Sequence, residues 1–292
     1  MYKMSVPIIQ GGMGVGISMG SLAGAVAAEG GMGVISTANI GFREKDFWSN
    51  PQEANCRALK KEIRRAREIS DGKGLIAVNA MVATKNFAEM VKVAVKSGID
   101  AVISGAGLPL NLPDLVDDKT LIAPIVSGKR AASLLMRTWK SKHGRSPDFL
   151  VVEGSKAGGH LGFKKEELIE GRESKLEDII SDVTSVAMGI SVFGAGGIFD
   201  SEDIKTIKDR GAAGVQIATR FIATQECDAS QGYKDRILSA KSEDVKIITS
   251  PVGMPGRALN SPLIKRVSKQ LRIAPKRCID CIITCNPGTT PY

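Results

Sequence analysis

Short apolar runs alternate with longer stretches of mixed polarity along the first three quarters of the chain. The apolar runs are Pro7 to Gln10, Gly33 to Thr37, Leu75 to Asn79, Ala101 to Ser104, Leu121 to Val126, Phe149 to Glu153, Ser191 to Phe193 and Gly214 to Ile217. Several are apolar at nearly every position, as expected of strands buried on both faces in a parallel sheet. The stretches between them include Ser21 to Glu29, Ala54 to Ile69, Asn86 to Lys96, Arg130 to Lys140, Leu176 to Met188 and Ser201 to Arg210, and these carry helical character. In Asn86 to Lys96, for example, Phe87, Met90, Val91 and Ala94 recur at helical spacing. Eight strands separated mostly by helices predict an α/β fold, a closed (β/α)8 TIM barrel with a C-terminal appendage. An open dinucleotide-binding sheet would want G-x-G-x-x-G after the first strand. The glycines of Gly11-Gly12-Met13-Gly14-Val15-Gly16 have the wrong spacing, and the alternation continues too long.

The pattern breaks beyond Arg220. The expected division is a barrel over residues 1–225 and an extension over 226–292. The extension is predicted to hold a helix at Ala229 to Lys241, a strand at Val245 to Thr249, a loop at Ser250 to Gly256, and a basic tail from Pro262 that could cover the barrel mouth. Gly162 to Lys175 reads as an insertion after the sixth strand that could act as a lid.

Composition narrows the function classes. Glycine is abundant and aromatics are scarce, which suits a bore filled by small aliphatic residues with glycine-rich loops at its mouth. No apolar run reaches the roughly 18–20 residues that span a bilayer, and Met1 to Ser5 is too short and polar for a secretory signal, so a cytoplasmic protein is expected. The net charge of +9 collects at Lys60 to Arg65, Lys129 to Arg145 and Lys265 to Arg277. These clusters lack interleaved aromatics or a nucleic-acid-reading module, so they read as solvated helix faces that also attract acidic small molecules. Cys278, Cys281 and Cys285 form C-x2-C-x3-C, three thiols without a fourth ligand, and no metal site is assigned.

Two turns of small residues stand out. Gly194-Ala195-Gly196-Gly197 follows the seventh strand and Ala218-Thr219 the eighth. Small residues at strand ends let the backbone approach a ligand and leave N–H groups free for an anion, and neighbouring turns after strands seven and eight form the phosphate cup of a barrel. Of the two histidines, His143 lies in a polar turn and reads as a surface residue. His160 follows the sixth strand among glycines, where catalytic side chains of barrels project, and is suited to proton transfer near neutral pH. Gln10, Asn79, Ser104, Ser127, Glu153 and Gln216 at strand tips are expected to form a polar ring suited to a flat heterocycle. No G-x-S-x-G elbow is present.

The ordered set Ile8-Ile9-Gln10-Gly11-Gly12-Met13, Val78-Asn79, Ala157-Gly158-Gly159-His160-Leu161-Gly162, Ala195-Gly196-Gly197-Ile198 and Gln216-Ile217-Ala218-Thr219-Arg220-Phe221 resembles the FMN-dependent nitronate monooxygenase (2-nitropropane dioxygenase-like) family. That family is close to the FMN-dependent enoyl-acyl-carrier-protein reductases. The resemblance spans about residues 5–260. It implies FMN across the barrel mouth, with Gly11, Gly12 and Met13 against the ring, and Asn79, Glu153 and Gly158 near the flavin. Gly196, Gly197, Gln216, Ile217, Ala218 and Thr219 would hold the phosphate, and His160 matches the family's active-site histidine. The implied reaction is oxidation of alkyl nitronates with O2. The alternative is NAD(P)H-dependent reduction of an enoyl thioester, and a homodimer is the expected assembly. Gln10 to Val15 departs from the Pro-Met-Ala type of first loop and stands nearer the reductase branch. Glu153 stands where many relatives have glutamine, and burial there would favour its protonated form. A nucleotide enzyme resembling IMP dehydrogenase would need a cysteine after the sixth strand, which is lacking. A flavin-carrying sensor would bind FMN without turnover.

Overall fold

The computed structural model describes residues 4–250, 253–269 and 272–290. Met1 to Lys3 of the expected start, Pro251 and Val252 of the expected loop, and Gln270, Leu271, Pro291 and Tyr292 of the tail lie outside the described residues. Eight parallel strands close into a barrel: β1 (Ile8–Gln10), β2 (Met32–Ser36), β3 (Leu75–Met81), β4 (Ala101–Gly105), β5 (Leu121–Val126), β6 (Phe149–Glu153), β8 (Ser191–Ala195) and β9 (Gly214–Ile217). Closure is made by β1 against β9, with Ile8, Ile9 and Gln10 opposite Val215, Gln216 and Ile217. The two-residue β7 (Gly159–His160) lies outside the barrel. It joins β10 (Val245–Thr249) and β11 (Pro255–Leu259) in an antiparallel sheet of order β10-β11-β7.

Alternation along the strands sorts the apolar residues into two layers. Ile9, Val34, Ala77, Ile103, Val151 and Phe193 are among those that fill the bore. Phe149 and Phe193 meet edge-to-face there, with centroids 5.6 Å apart. The intervening residues, such as Ile35, Val78, Val102 and Val152, pack outward against the helices. Those helices are α1 (Gly20–Ala28), α2 (Pro51–Ser70), α3 (Phe87–Lys96), α4 (Lys129–His143), α6 (Leu176–Thr184), α7 (Ser201–Asp209) and α8 (Thr219–Ile222), while α5 (Lys165–Glu170) packs towards β10, and α9 (Gln231–Leu238) and α10 (Pro262–Ser268) follow in the extension. A single 3-10 turn, Leu112–Leu115, takes the place of a helix between β4 and β5. Among the described residues no helix is long and apolar enough to cross a membrane.

The alanine-rich α1 is small because it sits close to its neighbours. A Cβ on Gly33 of β2 would fall 1.8 Å from the Ala23 carbonyl oxygen, and one on Gly24 would fall 2.9 Å from the Ala66 oxygen of α2. Met19 has no capping side chain for α1. Remote carboxylates supply the cap: Glu62 accepts from Gly20 N at 2.8 Å, and Asp228 accepts from Met19 N and Leu22 N at 3.0 and 3.2 Å. Asp228 thereby ties the segment after β9 to the first helix. At the other end of the chain, Ile282 bridges Thr84, Lys85 N donates to the Cys281 oxygen, Lys85 pairs with Asp280, and Arg277 lies over the Trp48 ring. The tail is thus docked on the loops that follow β2 and β3.

Several boundaries differ from expectation for physical reasons. The run after Ser191 stays extended through Gly194 and Ala195, and Gly194 is there because a Cβ would lie 2.6 Å from Ile207 of α7. Pro51, with its fixed φ, starts α2 three residues before Ala54. α6 stops at Thr184 rather than Met188, whose φ of 49° is left-handed. The expected loop Ser250 to Gly256 ends in strand β11. His143 is not a free surface residue: its side chain is only 10% exposed, and its ring nitrogens bond Asp114 Oδ1 at 2.7 Å and the Leu110 oxygen at 3.1 Å.

Gly33→Ala is expected to lower stability by about 1–3 kcal/mol, because α1 must move off β2. Gly232→Ala, with nothing within 4 Å of the new methyl in α9, should raise it by up to about 1 kcal/mol. Urea unfolding of the two variants beside the parent checks both signs.

Candidate active site

The C-terminal ends of the barrel strands carry the polar residues that continue the interior rows. Ser36 follows Met32 and Val34, Asn79 follows Leu75 and Ala77, and Glu153 follows Phe149 and Val151. Ser127 lies beyond Ile125, and Gln216 pairs in register with the interior Ile9. Gln10 and Ser104 are displaced from the expected ring, since both are 0% exposed and out of phase with the bore. Gln10 accepts from Val34 N at 3.0 Å and donates to the Gly11 oxygen, bracing the β1–β2 seam. Ser104 donates to the Ala80 oxygen at 2.8 Å. Sequence reasoning missed Ser36, and the alternation of β2 could have found it.

Two glycine-bearing turns and a third of other small residues meet over this ring. In the first, Gly11 N donates to the Ile217 oxygen at 2.8 Å, and Ser18 Oγ accepts from Met13 N at 2.7 Å. A Cβ on Gly12 would lie 2.4 Å from Asn79 Cβ, and one on Gly11 3.2 Å from Ala218 Cβ. The backbone of Gly11 to Met13 therefore runs between Asn79 and the β9 turn. In the second, Gly196 and Gly197 have φ of +97° and +83°, a region that favours glycine. They press on the loop after β6, since their Cβ positions lie 2.9 Å from the Gly154 oxygen and 2.7 Å from Lys156 Cβ. In the third, Ala218 makes the turn and Thr219 opens α8. The Thr219 hydroxyl faces Gly158 at 3.9 Å from that residue's Cβ position. The Ile217 side chain packs in the outer layer, and its carbonyl is taken by Gly11.

Gln216 Oε1 is buried with no hydrogen-bond partner among the described residues. Leaving such an acceptor unpaired costs roughly 1–3 kcal/mol, so the position fits a ligand N–H group. The Glu153 carboxyl makes no hydrogen bond among the described residues, and burial pushes it up to about 7. His160 is half-buried, and the same loss of solvent lowers its pKa, which keeps the imidazole neutral near pH 7. Its backbone is held as β7, with His160 opposite Gly256 and Gly159 opposite Arg257. Arg257 Nη2 donates to the Ser155 oxygen at 2.9 Å, fastening the hairpin to the loop that carries His160. No pattern in the sequence pointed to Arg257. Among the described residues no group of three or more His, Cys, Asp or Glu is placed to hold a metal ion.

The chain and its fold have known counterparts. The family model for nitronate monooxygenase matches residues 1–281. A Mycobacterium tuberculosis protein named (3aS,4S,5R,7aS)-5-hydroxy-7a-methyl-1-oxo-octahydro-1H-indene-4-carboxyl-CoA dehydrogenase is 26% identical over 272 residues, covering 91% of this chain and 66% of that protein. A Staphylococcus aureus protein named "Probable nitronate monooxygenase" is 25% identical over 297 residues, covering 92% of this chain and 79% of that protein. Among solved structures, FabK from Thermotoga maritima superposes with a TM-score of 0.74 at 26% identity, over 92% of this chain and 76% of that one. Nitroalkane oxidase from Streptomyces ansochromogenes shares the fold, with a TM-score of 0.70 at 20% identity over 88% and 77% of the two chains.

The raised carboxyl has a signed consequence for stability. The fold favours protonated Glu153, so its contribution is full below pH 4.5 and is lost as the pH rises to about 7. In protein stripped of any cofactor, Glu153→Gln should unfold at the parent's temperature at pH 4. At pH 8 it should be more stable by at most about 3 kcal/mol. A melting series across that range is the check.

Proposed function

Because the chain belongs to the nitronate monooxygenase family, we propose that it is a flavin-dependent oxidoreductase that holds FMN across the barrel mouth and oxidises alkyl nitronates with O2. The observation that carries this reading is the buried, unpartnered Gln216 Oε1 beside the Gly11–Met13, Gly196–Gly197 and Ala218–Thr219 turns. The residues present fit the group. Gly11, Gly12 and Met13 offer close backbone approach to a flat ring, with Asn79 and Gln216 as its polar contacts. Gly196, Gly197, Ala218 and Thr219 line the hollow for the phosphate, and Gly158 and Glu153 border the ring from the β6 side. Bound FMN would supply the redox chemistry, accepting electrons from the substrate and passing them to O2.

The protein's own contribution centres on His160. A neutral imidazole on the rim can take the proton from the carbon beside a nitro group, or donate its N–H to a nitronate oxygen. The packed loop Gly154 to Gly159 and the hairpin pinned by Arg257 fix its place. A second reading is reduction of an enoyl thioester by NAD(P)H. It is favoured by the superposition on FabK and by the glycine-rich first loop, Gln10 to Val15.

The purified protein should be yellow, with FMN released on denaturation. Anaerobic mixing with a nitronate should bleach the flavin bands faster than mixing with NADH or NADPH; the reverse order would select the reductase. His160→Ala should keep its flavin and lose about 10²-fold or more in turnover. Colourless protein that takes up no added FMN would overturn the assignment.

A further inference from the structure

Glu153 has surroundings that set it apart from an ordinary rim carboxylate. Its row on β6 is Phe149, Val151 and Glu153, and the first two lie in the bore. Its register partner on β8 is Ala195, which pairs on with Gln216 of β9. On the other side, Val152 pairs with Val126 of β5, with Ser127 beyond. α6 contributes Leu176 against Gly154. The charged or titratable groups on these elements and their continuations are Lys156 and His160 on the same loop, Arg257 on β11, Lys129 and Arg130 opening α4, Arg220 after β9, and Lys175, Glu177, Asp178 and Asp182 on and before α6. Among the described residues, none of them forms an ion pair or hydrogen bond with the Glu153 carboxyl. Lys156 is exposed, and Arg257 gives Nη2 to the Ser155 oxygen, with its buried Nε bonded to nothing among the described residues and its guanidinium making no ion pair with Glu153.

A carboxyl in a bore-facing row with no cation to pair with has two useful states. Protonated, it offers an O–H donor to whatever occupies the mouth. Ionised, it places a negative charge there with no counter-ion in contact. Resting on the function proposed above, we infer that Glu153 selects the charge of the ligand: its protonated carboxyl donates a hydrogen bond to a small planar oxyanion of the nitronate or carboxylate class, and its ionised form expels that anion. Binding of the anion is therefore coupled to uptake of one proton from solvent wherever the free site is ionised.

Nitrate is a suitable probe, being planar, anionic and free of any ionisation of its own near neutrality. Its affinity for the holoprotein is measured through the perturbation of the flavin spectrum at pH 6 and pH 8, together with binding heats in two buffers of different protonation enthalpy. With the carboxyl titrating at about 7, the nitrate Kd should rise about tenfold between the two pH values, and close to one proton should be taken up at pH 8. In Glu153→Gln the Kd should be nearly flat with no uptake, while His160→Asn should keep the parent's dependence. The inference is overturned if the parent binds no nitrate, if its Kd is flat with no proton uptake, or if Glu153→Gln retains the pH dependence and His160→Asn abolishes it. If the glutamine variant does not fold, the proton uptake of the parent and of His160→Asn decides the matter alone. A protein that binds nitrate as described yet oxidises no nitronate would refute the reaction while leaving the role of Glu153. A protein that oxidises nitronates but binds nitrate equally at both pH values would do the opposite.

Discussion

The mouth of this barrel depends on backbone coming within a side chain's width of backbone. Gly12 against Asn79, Gly196 against the Gly154 oxygen and Gly197 against Lys156 leave less than 3 Å for a Cβ, and Gly196 and Gly197 also hold positive φ. Each such glycine costs conformational entropy that a larger residue would not. The cost is spread over a closed barrel with an apolar bore and an apolar outer layer, which can carry it. With any larger residue at these points, the turns after β1, β6 and β8 would have to separate. Close approach thus comes before any particular hydrogen bond as the condition for a site here.

Within that frame, the extension and the barrel build one rim. β7 has only two residues and cannot persist as a strand unaided, since a ladder needs a partner for its N–H and C=O groups. β11 supplies it, and the Arg257 guanidinium adds a bond to the Ser155 oxygen behind the same loop. Lys165 Nζ donates to Thr249 Oγ1 at 2.7 Å, which joins α5 in the segment after β7 to β10. The segment Gly162 to Lys175 is therefore packed on the hairpin. On the opposite side of the mouth, Asp228 caps α1 and the tail lies on Thr84. Residues late in the chain set the position of loops that the barrel itself leaves without support.

The barrel was legible because burial on both faces writes itself as an uninterrupted apolar run, and eight such runs are hard to arrange otherwise. Strand phase was not used, and that is where the polar ring went astray. Gln10 follows the interior Ile9 and Ser104 follows the interior Ile103, so both must point outward. The same phase puts Asn79 and Glu153 inward. β7 and β11 were illegible for a different reason. Gly159-His160 and Pro255-Gly256-Arg257 have neither alternation nor β-branched residues, and their pairing spans about a hundred positions of sequence. Nothing local signals such a contact. The capping of α1 by Glu62 and Asp228 was hidden in the same way.

Burial at the rim moves two groups in opposite directions, Glu153 up and His160 down, and for both the first cause is loss of solvent rather than a charged neighbour. Both shifts favour the uncharged form, so burial works towards an acid that keeps its proton and an imidazole that sheds it on the same rim. An oxyanion entering such a place meets hydrogen-bond donors instead of a fixed counter-ion. Of the surrounding cations, Arg257 is partly buried and holds the Ser155 oxygen, while Lys129, Arg130 and Lys156 stay exposed, where screening by salt limits them to drawing anions towards the surface. Attraction at a distance and selection at the centre are thus assigned to different residues. The choice between charged and neutral ligands falls to the one carboxyl in the bore-facing row of β6.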